Sequence, residues 1–370
     1  MPAKTTEYKL ETLIVDYFRE NNKFDQRDNH NYNVDYALDT EYVERFLRRT
    51  QPQKVDESMI FASPYNKHNF FERLKKEITR RGIIDVLRKG YRYNTHLFDM
   101  YYPLPSELNE MAKEMYGQNI FGIARQLHYS KTNTNLSVDI VIFINGMPII
   151  TFELKNQFTG QDVSNAVNQY RKDRDPKELL FMPKRCAVHF AVDDDQIMMC
   201  AELKGGSSWF LPFNKGVDGS AGNPVNPSGL KTAYLWEEVL TKESLSDIIE
   251  NYAQVTKIYD NKTGRIKSER SIWPRYHQLD AVRYFVKRTF EDGVGQRYLI
   301  QHSAGSGKSN TITLEVKDYV ESDGTIADKK IYYYTIEVGS FKLTQDLVLN
   351  DEVPQVTFDS GVLVGETFDL

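Results

Sequence analysis

Cysteine is nearly absent from this chain of 370 residues, which holds only Cys186 and Cys200. Two thiols cannot make a disulfide framework at this length, and their spacing fits no metal-ligand pattern, so buried free thiols are expected. Long apolar runs are missing as well. None approaches the ~18 to 20 residues of a membrane span, and the start lacks a leader pattern, so the expectation is a cytoplasmic chain with no membrane partner. Positive charge is not in surplus either: 47 Lys and Arg against 52 Asp and Glu leave a net charge of −5. That excludes a uniformly basic, nucleic-acid-coating surface but allows a local basic groove. Internal repeats and long low-complexity tracts are absent. What remains is the composition of a globular protein, 40% hydrophobic and 27% charged, long enough for two or three domains with separate cores.

The most informative stretch is Asp139–Lys155, DIVIFINGMPIITFELK, with Val138 just before it. Val138, Ile140, Ile142 and Ile144 alternate with Asp139, Val141, Phe143 and Asn145, so both faces carry apolar residues and the run reads as a buried strand. Asn145-Gly146 signals a hairpin turn, and Pro148 is acceptable at the start of the returning strand, Ile149–Leu154. Residues two apart on a strand share a face, so Glu153 and Lys155 project together and the hairpin returns Asp139 towards them. Two carboxylates and an ammonium at one point suit Mg²⁺, with the lysine steadying an attacking water or the developing phosphorane charge. This is the PD-(D/E)xK arrangement for metal-assisted phosphodiester cleavage. A solvated strand face could carry the same spacing. Against it, charges on strands this apolar cost energy unless they serve a site.

Around the hairpin, helical spacing marks Glu7–Asn22, a segment bearing Tyr42, Val43, Phe46 and Leu47 that stops at Gln51-Pro52-Gln53, and Phe70–Val86 broken by Gly82. Asn21–Asn33 reads as loop and Asn119–Tyr129 as the strand leading into the site. The basic residues Arg73 to Arg92 are either a solvated helix face or a place for DNA phosphates. Gly160–Arg174 reads as a helix with Val163, Ala166, Val167 and Tyr170 on one side. Arg185–Val192 and Gln196–Cys200 read as paired strands about the Asp193-Asp194-Asp195 turn, where turn chemistry explains the acids better than a metal does. Lys204–Pro227 reads as loop, with Trp209, Phe210 and Phe213 packing on the core. Ser244–Gln254 reads as helix, and Ile258–Ser271 as a linker or hairpin.

A second chemical signal is Arg297–Ser309, RYLIQHSAGSGKS. A short apolar strand precedes Gly305, Ser306, Gly307, Lys308 and Ser309. Such a loop wraps phosphates with backbone N–H groups, reaches them with the lysine and presents a hydroxyl to Mg²⁺. His302 stands where the full pattern has glycine, so the match is to the helicase-type variant. Upstream, Tyr276 and Gln278 precede Leu279–Thr289 and resemble the adenine-reading Q motif of superfamily 2 helicases. An ordinary helix start after Pro274 accounts for them equally well.

With both signals in view, the chain resembles the restriction (R, HsdR) subunit of type I restriction-modification enzymes. The resemblance runs from about Glu7 to Asn310, in phrases such as DTEYVERFLRRTQP (Asp39–Pro52), RQLHYS (Arg125–Ser130), ITFELKNQFTGQDV (Ile150–Val163), QYRKDRDPKELLF (Gln169–Phe181), FLPFNKG (Phe210–Gly216) and PRYHQLDAV (Pro274–Val282). It implies that Asp139, Glu153 and Lys155 are the nuclease residues and that Asp139 and Glu153 hold the metal. The family's QxxxY element puts Tyr170 in the helix after the site, although position 166 is Ala and the glutamine is Gln169. Gln169, Tyr170, Arg171, Lys172 and Arg174 are accordingly expected to position DNA, while a surface pairing of Arg174 with Asp173 is the plainer alternative. The implied cofactors are Mg²⁺ and ATP. The implied partners are double-stranded DNA and the specificity and methylation subunits of such a complex.

After Asn310 the pattern departs from the family. Lys330–Val338, Phe341–Leu349 and Gln355–Val364 alternate like strands, and no acidic DExx box follows. The expected architecture is α/β: a PD-(D/E)xK restriction-endonuclease-like domain over 1–255, a linker over 256–272, the start of a RecA-like P-loop ATPase domain over 273–310, and a β-rich tail over 311–370. The expected activity is Mg²⁺-dependent hydrolysis of duplex DNA. A standalone nuclease remnant and a non-catalytic binding subunit are the rival readings.

Overall fold

The computed structural model describes residues 7–105, 109–156, 160–217, 220–260, 263, 265–293, 332–338, 341–347, 355–357 and 367–369. The chain divides into two compact units, Met1–Pro274 and Arg275–Leu370. The first is built on a seven-stranded mixed sheet whose spatial order follows the chain: β1 (Asp25–Arg27), β2 (Phe121–His128), β3 (Ser137–Ile144), β4 (Met147–Leu154), β5 (Val188–Val192), β6 (Ile197–Cys200) and β7 (Leu211–Pro212). The pairs β1–β2 and β4–β5 are parallel, and the others are antiparallel. Helix α1 (Glu7–Glu20) lies against β2, β3 and β4, and the helix between β4 and β5 (Val163–Lys172) lies against β4, β5 and β6. The order helix, three-stranded meander, helix, parallel strand is a mixed α/β arrangement consistent with the PD-(D/E)xK-like nuclease fold family.

The two-sided apolar pattern of the central strands is explained by their cover. Every residue of β4 is buried, as is all of β3 but its first residue. Leu10, Ile14 and Phe18 of α1 are fully buried beside them. Between β1 and β2 the chain inserts helices α2 (Thr40–Thr50) and α3 (Pro64–Arg81), so the helix between β4 and β5 is α4. Asp39 caps α2 by accepting from the Tyr42 N–H at 3.0 Å and also takes the Arg27 Nε at 2.7 Å, which ties β1 to the helical layer.

Several expectations change. The Asn21–Asn33 loop contains β1, a charged and largely exposed edge strand with no apolar alternation to announce it. The helix bearing Tyr42 to Leu47 stops as expected, at Thr50 before Gln51-Pro52, but Pro52 then opens a further helix, Pro52–Ser58, at the position where proline costs least. The Lys204–Pro227 loop includes the edge strand β7. Phe210 and Phe213 are buried as expected, but Trp209 is 72% exposed. Of the two readings of Ile258–Ser271, linker or hairpin, the hairpin is the one formed: Gln254–Tyr259 pairs with Ile266–Ile272, bound to the same unit by Lys184–Glu269 at 2.6 Å and by the Ser271 N–H on Glu202 at 2.7 Å. In the second unit, α5 spans Tyr276–Asp292, Tyr332–Val338 pairs with Phe341–Leu347, and Gln355–Thr357 pairs with Thr367–Asp369. Among the described residues no helix is long and apolar enough to cross a membrane.

The β3–β4 turn has left-handed backbone at both Asn145 (φ 49°) and Gly146 (φ 82°), the conformation that matches strand twist in a two-residue hairpin. A Cβ on Gly146 would collide with the Asp39 carbonyl oxygen and the Val43 backbone. Gly146→Ala is therefore expected to destabilise the first unit by about 1–3 kcal/mol from overpacking alone. Urea unfolding of the two chains measures this, and equal midpoints would refute it.

Candidate active site

The hairpin register sets Ile140 opposite Phe152, so Asp139 and Glu153 come together at the open end of β3 and β4. Asp139 is buried, and its Oδ2 accepts the Leu154 N–H at 2.7 Å. Burial pushes its carboxyl up to about 6, against the pull of that N–H and of Lys155. Glu153 is wholly buried. Its Oε1 takes the Arg174 Nε at 2.5 Å, and its Oε2 has no hydrogen-bond partner. Burial first, and then the charge of Asp139, push Glu153 up to about 8, although Arg174 and Lys155 draw it back. Lys155 follows β4, is fixed to β5 by its N–H on the Val192 carbonyl, and extends its Nζ to Glu7 of α1 at 2.9 Å.

A cavity of about 400 Å³ opens beside Lys155. Glu7 and Lys155 line one part of it, and Asn165, Asn168, Gln169 and Lys172 line another. Those four residues repeat at the spacing of a single face of α4. The opposite face, Val163, Ala166, Val167 and Tyr170, belongs to the core.

This division corrects part of the expected DNA surface. Gln169 and Lys172 face the cavity. Tyr170 is fully buried with its hydroxyl 2.7 Å from Thr151 Oγ1, so it supports β4 rather than meeting solvent. Arg171 donates to the Ser208 carbonyl through both Nε and a terminal nitrogen. Arg174 pairs not with Asp173 but with Glu153, because the chain turns inward after α4 and a buried carboxylate attracts the guanidinium more strongly than an exposed one. On α3, Lys75 and Arg80 pair three residues away with Glu72 and Glu77, as a solvated helix face does. The aspartate turn also has its structural account: Asp193 accepts from the N–H groups of Asp195, Gln196 and Val163.

Among the described residues no group of three or more His, Cys, Asp or Glu is placed to hold a metal ion. The donor set at the hairpin is two carboxylates, one of them with an unpartnered buried oxygen. That fits a hard divalent cation such as Mg²⁺, which keeps several of its waters and takes few protein ligands. In the second unit, Gln278 is buried and its Oε1 accepts the Arg275 N–H at 2.9 Å, so this side chain serves its own helix start. Tyr276 opens the same helix. Gly305, Ser306, Gly307, Lys308 and Ser309 lie outside the described residues.

Two residues that the sequence did not single out touch this site. Glu11 of α1, almost wholly buried, holds Arg125 at 2.5 Å and Gln126 at 2.7 Å, and Gln126 Nε2 also donates to Asp139 Oδ1 at 3.2 Å. An acid beside Leu10 on the apolar face of α1 was a visible signal for Glu11. Nothing in the sequence marked Gln126.

The raised carboxyls give a pH dependence. Without divalent cation, Glu153 titrates at about 8 in the folded chain against an ordinary 4.5, and Asp139 at about 6 against 3.8. The folded state binds the extra protons across those windows, so stability falls as pH rises from about 4 to about 8. Glu153→Gln, which cannot ionise, should flatten the part between pH 6 and 8. Thermal melts in chelator over this range test it; an unchanged slope in the variant would refute the assignment.

The sequence matches the family described as Type I restriction enzyme R protein N terminus (HSDR_N) over residues 4–208. It is 27% identical over 209 residues to a protein of Methanocaldococcus jannaschii bearing the name type I restriction enzyme MjaVIIIP endonuclease subunit, covering 52% of this chain and 18% of the relative. It is likewise 27% identical over 198 residues to the type I restriction enzyme HindI endonuclease subunit of Haemophilus influenzae, covering 53% of this chain and 18% of that protein. The matched region thus spans less than a fifth of either relative. With more than half of its length matched by the family, the chain belongs to the type I restriction enzyme R-subunit family, through that family's N-terminal domain.

Proposed function

We propose that the first unit hydrolyses phosphodiester bonds of duplex DNA with Mg²⁺. The observation that carries this reading is the unpartnered, fully buried Oε2 of Glu153 beside Asp139, two residues before Lys155, which lines the cavity. A buried polar oxygen left without a partner costs free energy unless a ligand completes it, and a bound cation would also favour the ionised carboxylate over the protonated one. Asp139 and Glu153 would hold the cation. When bound, Mg²⁺ neutralises charge on phosphate oxygens and makes water a readier nucleophile. Lys155 Nζ, now on Glu7, would exchange that carboxylate for a phosphate oxygen and donate to it as charge develops. Gln169 and Lys172 would hold the sugar-phosphate strand along the cavity, Gln169 by neutral hydrogen bonds and Lys172 by charge.

The wider reading adds ATP-driven DNA translocation, with target choice made by specificity and methylation subunits. It rests on family membership and on the phosphate-loop sequence Gly305–Ser309, with Tyr276 and Gln278 as the adenine-side candidates.

Cleavage of plasmid DNA by the full chain, alone and with those subunits, tests the nuclease. Asp139→Ala and Glu153→Ala should abolish cutting, and Lys155→Ala should slow it on the order of 10²-fold or more while sparing metal binding. Cutting at the wild-type rate by any of the three would overturn the proposal. In Ca²⁺, Lys172→Ala should weaken DNA binding and lower the salt slope by roughly one counterion, whereas Arg171→Ala should leave that slope alone.

A further inference from the structure

Gln126 interrupts β2 directly beside Asp139. Its neighbours keep the ladder, Arg125 opposite Ile140 and Leu127 opposite Val138, but Gln126 itself has a φ of 47°. That left-handed conformation is rare and unfavourable for a residue with a long side chain. The interruption changes which way the strands face. Residues three apart on a regular strand point to opposite faces, yet Ala124 and Leu127 share one core cluster, and so do Val138 and Val141. The face reversal falls at Gln126 on one strand and near Asp139 on the other.

The side chain that occupies this strained position is completely engaged. Its Oε1 accepts from Ser137 Oγ at 2.9 Å, which fixes the amide's orientation. Its Nε2 then faces two carboxylates, Glu11 Oε2 at 2.7 Å and Asp139 Oδ1 at 3.2 Å. Glu11 is itself held by the Arg125 Nε at 2.5 Å. With Leu154 N–H on Oδ2, both oxygens of Asp139 are thereby aimed by the protein. A glycine would adopt this backbone without strain but could supply none of these bonds.

We propose that Gln126, anchored by Glu11, is a positioning residue that sets the Asp139 carboxylate for the metal. The assignment rests on the reading of Asp139 as a metal ligand. Strain at a site of this kind persists where the side chain is needed, and an amide that orients a ligating carboxylate acts on affinity without touching the ion.

The test uses the full chain and Mn²⁺ as the probe, titrated by electron paramagnetic resonance of the free ion, for wild type, Gln126→Gly and Asp139→Asn. Gln126→Gly relieves the backbone, so a melting temperature close to wild type is expected, together with roughly ten-fold weaker Mn²⁺ binding. Cleavage should lose kcat with little change in KM for DNA. A purely structural glutamine predicts the reverse, a lowered melting temperature at unchanged Mn²⁺ affinity, and that result would overturn the assignment. If Asp139→Asn weakens Mn²⁺ binding while Gln126→Gly does not, the role of Gln126 fails and the nuclease reading stands. If neither variant changes the affinity, the reading of Asp139 fails and this assignment falls with it.

Discussion

The burial of two carboxylates on adjacent strands is the constraint on which the rest of this structure depends. Burial favours the protonated form of both Asp139 and Glu153, and the charge of Asp139 adds to this at Glu153, so each surrounding dipole and charge that favours the ionised form matters. These groups come from all over the first unit: the Leu154 N–H from β4 itself, Gln126 from β2, and Arg174 from the turn beyond α4. Even so the compensation is incomplete, since Glu153 Oε2 stays without a donor. An apolar pair would stabilise the sheet better at this point. A site that sacrifices stability in this way is what a ligand-binding centre requires.

The sheet explains how such a pair is held at all. β3 and β4 are buried on both faces, so their register cannot slip without moving a whole row of side chains out of the core. Asn145 reinforces the turn from inside: its Oδ1 accepts the Ile120 N–H, and its Nδ2 donates to the Met100 carbonyl. Fixing the hairpin at its closed end fixes the relation of Asp139 to Glu153 at its open end. Hydrophobic burial thus supplies the precision that the charged groups need.

How much of this was legible in the sequence follows from the range of the forces involved. Asn-Gly between two apolar runs announced the hairpin, and the hairpin alone brought Asp139 and Glu153 together, because turn chemistry and strand period act locally. The helix after β4 was legible through Val163, Ala166, Val167 and Tyr170. What the sequence obscured was which charged groups turn inward. Arg174 and Lys172 look equivalent in QYRKDRD, yet one reaches a buried glutamate and the other lines a cavity. Tyr170, carried over as a DNA contact, proved to be on the core side of its own helix. β1 escaped notice because an exposed edge strand such as Asp25–Arg27 needs no apolar pattern. The left-handed Gln126 was unreadable because the partner of its side chain is Glu11, far away in the chain.

The two faces of helix α4 carry different work. Its capping box at Asp162 and the acceptance of the Val163 N–H by Asp193 hold its start against the β5–β6 turn. Its apolar face then bears on β4 through Tyr170 and Thr151, directly behind Glu153 on the same strand. Because that face is pinned, Asn165, Asn168, Gln169 and Lys172 have one possible direction, towards the cavity. Because the helix ends at Lys172, the chain is free to turn Arg174 back under the sheet. One short element and the turn after it therefore support the strand, pair Arg174 with its carboxyl group and present an amide-rich wall to the cavity. Three of the four cavity-facing residues of α4 are neutral amides, so this wall recognises by hydrogen-bond geometry more than by charge.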